Sequence, residues 1–127
     1  MNDNAKGPGN PVSVRFPKWL DARVREEASL ERRTLAEMVR ILAEEALATR
    51  TFPSIIFVEG PTGRRAAFRD GPDVWEIIET YLVSGRDPTI VLESWPHLPP
   101  WKVTTAIRYY EKFPSEIEAR IERNAAL

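Results

Sequence analysis

The chain contains no cysteine and a single histidine, His97. A disulfide framework is excluded, and a zinc site of the usual Cys/His kind nearly so. It also lacks a long hydrophobic run: its first apolar-rich stretch is far shorter than the ~20 residues of a membrane span. The opening MNDNAKGPGN has no signal-peptide core. These absences predict a soluble, cytoplasmic protein with no membrane partner. Neither sign of charge dominates, with 18 Lys and Arg against 19 Asp and Glu. That argues against a generally basic nucleic-acid coat but leaves room for a local basic face.

Chemistry-bearing motifs are scarce as well. GPTGRR at Gly60 to Arg65 lacks the spacing and following helix of a phosphate-binding P-loop. No serine has a visible base beside it, and the carboxylates are scattered along amphipathic stretches. His97, between Pro96 and Leu98, reads as a cap or packing residue rather than a base. The sequence predicts no catalytic residue, no metal site, no cofactor, and therefore no enzyme.

What is present suits one or two small domains: 127 residues, 43% of them hydrophobic, enough to fill cores. Residues 1–10, rich in Gly, Pro and Asn, predict a disordered arm. Its Lys6 can touch phosphates, or the arm is simply a flexible terminus. Residues 11–50 form one unit and 54–127 a second, divided by TRTFPS, where Pro53 stops any helix arriving from the left. Trp75, Trp95 and Trp101 fall in the second unit and predict a core of its own.

In the first unit Val12, Val14 and Phe16 alternate with Ser13 and Arg15, the period-2 signature of a half-buried strand. Pro17 ends it. Lys18 to Glu31 are rich in helix formers, with Leu20, Val24 and Ala28 as a narrow apolar stripe. Thr34 and Glu37 have capping-box spacing. The helix they start carries Leu35, Met38, Val39, Leu42, Ala43, Ala46 and Leu47 in the i, i+3, i+4, i+7 pattern.

A strand and two helices in about forty residues cannot bury this much apolar area as a monomer. Two copies can. If the strands of two chains pair antiparallel, Val12, Val14 and Phe16 face inward onto four helices. The predicted dimer core is Val12, Val14, Phe16, Leu35, Met38, Val39 and Leu42. Ser13 and Arg15 then face outward on a two-stranded ribbon of a size that enters the DNA major groove.

The stretch VSVRFPKWLDARV, followed by ERRTLAEMVRILAEEAL, resembles the ribbon-helix-helix DNA-binding proteins, the fold of the Arc and MetJ repressors and of many antitoxins. The resemblance covers about a third of the chain. It implies base contacts from the outward strand positions Pro11, Ser13 and Arg15. Arg15 can pair with guanine O6 and N7, Ser13 reads bases weakly, and Pro11 offers apolar contact. It also implies a phosphate clamp at the start of the second helix, from Arg33, Thr34 and Leu35, where helix amides and dipole suit an anion. So few readers per half-site imply modest specificity and several dimers side by side. The family usually has glycine in the inter-helix turn, where this chain has Arg32. If that position is left-handed, Arg32 costs about 1 kcal/mol; otherwise the turn is built differently. Taken alone, the alternating strand also fits an ordinary solvated face.

In the second unit, Ile55 to Glu59 and Arg64 to Phe68 predict two strands around a Gly-Pro-Thr-Gly turn. Asp73 and Glu76 start a helix with Val74, Ile77, Ile78, Tyr81 and Leu82 on one face, which Gly85 ends. Asp87-Pro88 opens a short helix to about Trp95, and Pro99-Pro100 opens another with Val103, Ala106, Ile107 and Tyr110 inward. Pro114 breaks it before a last charged helix, Ser115 to Asn124.

Gly85, Asp87, Pro96-His97-Leu98, Val103, Ala106 and Tyr109-Tyr110 make Ile55 to Ile121 similar to the small helix-turn-helix domains of the family called domain of unknown function 433. The family's GTR after the hairpin is replaced by DGPDVW at Asp70 to Trp75. Genes of that family often sit beside a PIN-like ribonuclease toxin. The two resemblances together imply a type II antitoxin similar to VapB proteins, one end on operator DNA and the rest restraining a toxin.

The residues themselves allow a second DNA or toxin surface: Lys102, Thr105, Arg108 and Tyr109 on the open faces of the third helix, with Arg64, Arg65 and Arg69 as a basic wing. Trp101 and Tyr109, if exposed, are interface-anchoring types. Arg120 and Arg123 can fill an acidic toxin pocket, or belong to a solvated helix with Glu116–Arg120 pairing. The open faces also fit plain solvation.

The fold expected is mainly α: an N-terminal ribbon-helix-helix forming a dimeric β-ribbon, then a C-terminal β-hairpin and winged-helix-like helix-turn-helix bundle. The function expected is a homodimeric antitoxin that binds operator DNA, autorepresses transcription and neutralises a PIN-like ribonuclease encoded by the adjacent gene. The alternatives are a stand-alone transcription or partition regulator of the same fold, and an adaptor whose strand pairs with another protein's sheet edge.

Overall fold

The structure, a computed structural model, describes Gly7 and residues 9–126. Most of the predicted arm, Lys6 included, lies outside the described residues. The described chain is mainly helical, with a small antiparallel sheet of two strands, and divides into two compact units, Gly7 to Thr51 and Phe52 onward. No helix among the described residues is long and apolar enough to cross a membrane.

The first unit holds α1 (Lys18–Leu30) and α2 (Leu35–Thr51). Pro17 accommodates the start of α1 by accepting at its carbonyl from the amides of Leu20 and Asp21, at 3.1 and 3.0 Å. Val24 and Ala28 of the predicted stripe are buried with Met38 of α2, and Phe16, Leu20, Leu35, Val39, Ile41 and Leu42 pack around them. The stripe of α2 fails in its C-terminal half: Ala43 and Ala46 are exposed and Leu47 is 66% exposed, whereas Ile41 and Ala48 turn inward. Length accounts for this. At 1.5 Å per residue α1 is about 20 Å long and α2 about 25 Å, so one cannot cover the other.

Residues 11–17 carry no strand in the single chain. A ladder needs amides and carbonyls on a facing segment, and a lone strand is unstable in water.

The turn between the helices is left-handed at Arg32, φ 55. The amide of Arg33 donates to Ala28 O at 2.9 Å and that of Arg32 to Ser29 O at 3.2 Å. This is the two-bond Schellman cap, which normally places glycine at the left-handed residue. Thr34 then caps α2, its Oγ1 accepting from the Glu37 amide at 3.1 Å.

In the second unit β1 (Ile55–Val58) pairs antiparallel with β2 (Arg65–Phe68), in a register from Ile55 opposite Phe68 to Val58 opposite Arg65. Glu59 and Arg64, expected at strand ends, fall in the turn, which the Gly63 amide closes onto Gly60 O at 2.9 Å. Four helices follow: α3 (Val74–Val83), α4 (Pro88–Ser94), α5 (Pro100–Lys112) and α6 (Pro114–Ala125). Asp73 starts α3, its amide donating to the Glu76 carboxylate at 3.0 Å. Asp87 caps α4, accepting from the Thr89 amide at 2.9 Å. Gly85 ends α3 in the same Schellman geometry as Arg32, with Arg86 N to Tyr81 O at 2.7 Å.

Helix α3 is the centre of this unit. Its Val74, Ile77 and Ile78 are wholly buried, and it packs on β2, α4, α5 and α6. An aromatic cluster adds Phe52, whose ring lies edge-on to Tyr109 at 5.3 Å, with Tyr109 and Phe113 at 4.8 Å. The tryptophans contribute less core than expected. Trp75 and Trp95 are half-buried, their indole N–H groups donating to Asp73 and Thr80, and Trp101 is 51% exposed.

Candidate nucleic-acid interface

Residues 11–16 precede α1, and the alternation in their sequence is not matched by alternation in burial. Pro11, Ser13 and Arg15 are exposed as predicted, but so are Val12 and Val14, at 82% and 67%. Phe16 alone is half-buried and packs against the Val24, Ala28 and Met38 cluster. The segment is thus tied to the first unit at one end, with two β-branched apolar side chains in water. Burying each would stabilise a folded or associated state by about 1.5–3 kcal/mol.

At the start of α2, Thr34 is exposed and Leu35 half-buried. The first amides of any helix lack intrahelical acceptors and carry partial positive charge, which favours an anion. Arg33 is half-buried, its Nε donating to Glu31 Oε1 at 3.3 Å. Its charge is therefore partly compensated before any phosphate arrives. The α1 surface is laced by Arg23 with Glu26 and Glu27 and by Arg25 with Asp21. The two glutamates raise the Arg23 pKa, first through the hydrogen bond that Arg23 donates to Glu26.

The second predicted surface does not come together as the sequence suggested. Tyr109 is no surface residue: it is 1% exposed, and its hydroxyl donates to Glu116 at 2.9 Å. Helix α6 folds back on α5 after Pro114 and covers the side that a lone α5 would leave open. Lys102 is half-buried, its ammonium donating to Gly71 O at 2.7 Å and lying 5.4 Å from the Phe68 ring centre. Thr105 is half-buried too. Arg65 is not an open wing, because its Nε bonds Asp73, linking β2 to the start of α3. Arg64 is half-buried, 3.9 Å from Glu59. Arg69, Arg108 and Trp101 remain exposed, Trp101 held edge-on against Phe68.

Arg120 is not poised to enter a partner's pocket. It is buried, and it donates to Thr62 O and to Arg64 O, the latter at 2.9 Å. Burial lowers its pKa, with Arg123 and Arg65 adding repulsion. Glu116 acts on the Arg120 charge as the helical spacing suggested, and its carboxylate also accepts from the Tyr109 hydroxyl. His97, expected to cap or pack, is exposed. Sequence reasoning missed Asp73 as the hub for Arg65 and Trp75, and Glu116 as the acceptor for Tyr109. Asp73 had a signal, its cap position; Glu116 had none, since its partner lies across a helix break.

Comparison with family models, curated proteins and solved structures finds no match to this chain.

Proposed function

We propose that the chain is the antitoxin of a type II toxin–antitoxin system, which binds operator DNA as a ribbon-helix-helix dimer, represses its own transcription and neutralises a PIN-like ribonuclease. The observation that carries the DNA-binding part is the exposure of Val12 and Val14, 82% and 67%, alternating with Ser13 and Arg15 ahead of a capped helix pair. A second copy pairing antiparallel covers both valines and satisfies the strand backbone in one step. The ribbon so formed carries Arg15 from each chain toward the major groove, and the Thr34 end of α2 meets the phosphates. Support for the toxin is the resemblance of Ile55 to Ile121 to antitoxin-associated domains, together with a second unit that has its own core.

Gel shift on the DNA upstream of the gene tests the reading. The wild-type chain binds as a dimer, and Arg15→Ala loses about 1–3 kcal/mol for each guanine contact removed while the dimer persists in sedimentation. Normal operator affinity in Arg15→Ala would overturn readout by the strand. Co-expression with the adjacent gene product tests the toxin. DNA binding without any such complex makes the chain a stand-alone regulator.

A further inference from the structure

Four arginines meet at the hairpin turn of the second unit. Arg120 and Arg123 of α6 both donate to the single carbonyl of Thr62, Arg123 from Nη1 at 3.2 Å, and Arg120 also holds Arg64 O. Gly63 has φ +97, and a Cβ there would stand 3.3 Å from both Arg120 Nη2 and Arg123 Nη1. The guanidiniums lie over a bare backbone. Carboxylates among the described residues that oppose these charges include Glu59 near Arg64, Asp73 on Arg65, and Glu116, whose oxygens also accept from Tyr109.

Arg123 is the cation this arrangement leaves least compensated. Its helical neighbours three and four residues before are Arg120 and Ala119, and Ala126 is three after, so α6 offers it no carboxylate at pairing distance. Three exposed helical arginines of the first unit differ: Arg23, Arg25 and Arg40 each have an intrahelical acid. Two like charges at i, i+3 destabilise a helix. Thr62 O has two lone pairs and accepts from both guanidiniums, Arg120 being the buried one and Arg123 the exposed one. Arg123 is exposed and uses one of its five donors on Thr62.

We propose that Arg123, backed by the charges of Arg64, Arg65 and Arg120, binds a phosphate of the DNA backbone, giving the second unit its own sequence-independent hold on the duplex. The proposal rests on the operator-binding reading of the first unit. Backbone phosphate is favoured over a partner's carboxylate by chain continuity: α2 ends at Thr51 and the second unit starts at Phe52. With no linker between them, a DNA-bound first unit holds the second at high effective concentration near the same duplex.

The test uses full-length protein, the upstream duplex and a random-sequence duplex of equal length, with affinity followed across salt. Arg123→Gln flattens the log–log salt slope by about 0.9 per protomer on both duplexes. Affinity falls several-fold at low salt. Arg123→Lys restores the slope, and the thermal transition of both variants matches wild type. An unchanged slope and affinity in Arg123→Gln overturns the phosphate contact while operator binding by the wild type stands. Loss of toxin co-purification with an unchanged slope assigns Arg123 to a carboxylate and overturns it equally. Wild-type binding to neither duplex sinks both this proposal and the operator reading.

Discussion

The second unit buries fourteen apolar side chains, from Phe52 to Ile117, around α3, whereas the first buries Val24, Ala28, Met38 and Ala48 and leaves Val12, Val14 and Leu47 in water. The difference is one of architecture more than composition. Four helices and a hairpin surround α3 on several sides. Two helices can cover each other only along one stripe, and a preceding extended segment adds nothing until it finds a partner strand. The proposed second copy would supply the first unit with the cover that the second unit finds within its own chain. The two units also end a helix in the same way with different residues. Gly85 occupies the left-handed position after α3 at φ 76, and Arg32 occupies it after α1 at φ 55. Glycine enters that region freely, and arginine does so against its Cβ.

Three substitutions would break or sharpen this contrast. Val14→Asp has the largest expected effect: a charge on the inner face of the proposed ribbon would abolish the proposed dimer and its operator binding, read by sedimentation and gel shift, while the thermal transition of the second unit stays in place. Persistence of the dimer would remove the strand from the interface. Ile77→Ala comes next. It empties the centre of the second core and lowers stability by about 2–5 kcal/mol, by an amount independent of protein concentration in denaturant titrations. A concentration-dependent loss would mean that this unit also leans on a second copy. Arg32→Gly is the smallest. Relief of the left-handed backbone, offset by glycine's greater freedom in the unfolded chain, raises stability of the first unit by up to about 1 kcal/mol. A loss instead would mean that the Arg32 side chain contributes more than its backbone costs.

Much of the local structure was legible in the sequence. The hairpin around Gly60 to Gly63, the Asp73 and Asp87 starts, the Gly85 stop and the proline-led helices all depend on residues within a few positions of one another. The left-handed Arg32 was legible as a question, posed by a missing glycine. The candidate sites were less so. Pro11, Ser13 and Arg15 are exposed where the alternation put them, but Val12 and Val14 share that exposure, since residues 11–17 pair with no other segment of the described chain. Tyr109 and Arg120 were misjudged because helical spacing on α5 or α6 alone reveals neither that α6 folds back to set Glu116 on Tyr109 nor that it carries Arg120 onto the hairpin turn.

The sequence by itself determined where the helices begin and end and where the second unit's hairpin turns, because capping, periodicity and backbone preference act over a few residues. Only the tertiary structure decided which charges are scaffold and which stay open to a partner. Arg120 reaches Thr62 across 58 positions, and Tyr109 meets Glu116 across a helix break. Burial and compensation depend on what arrives from elsewhere in the chain, and no local pattern records it.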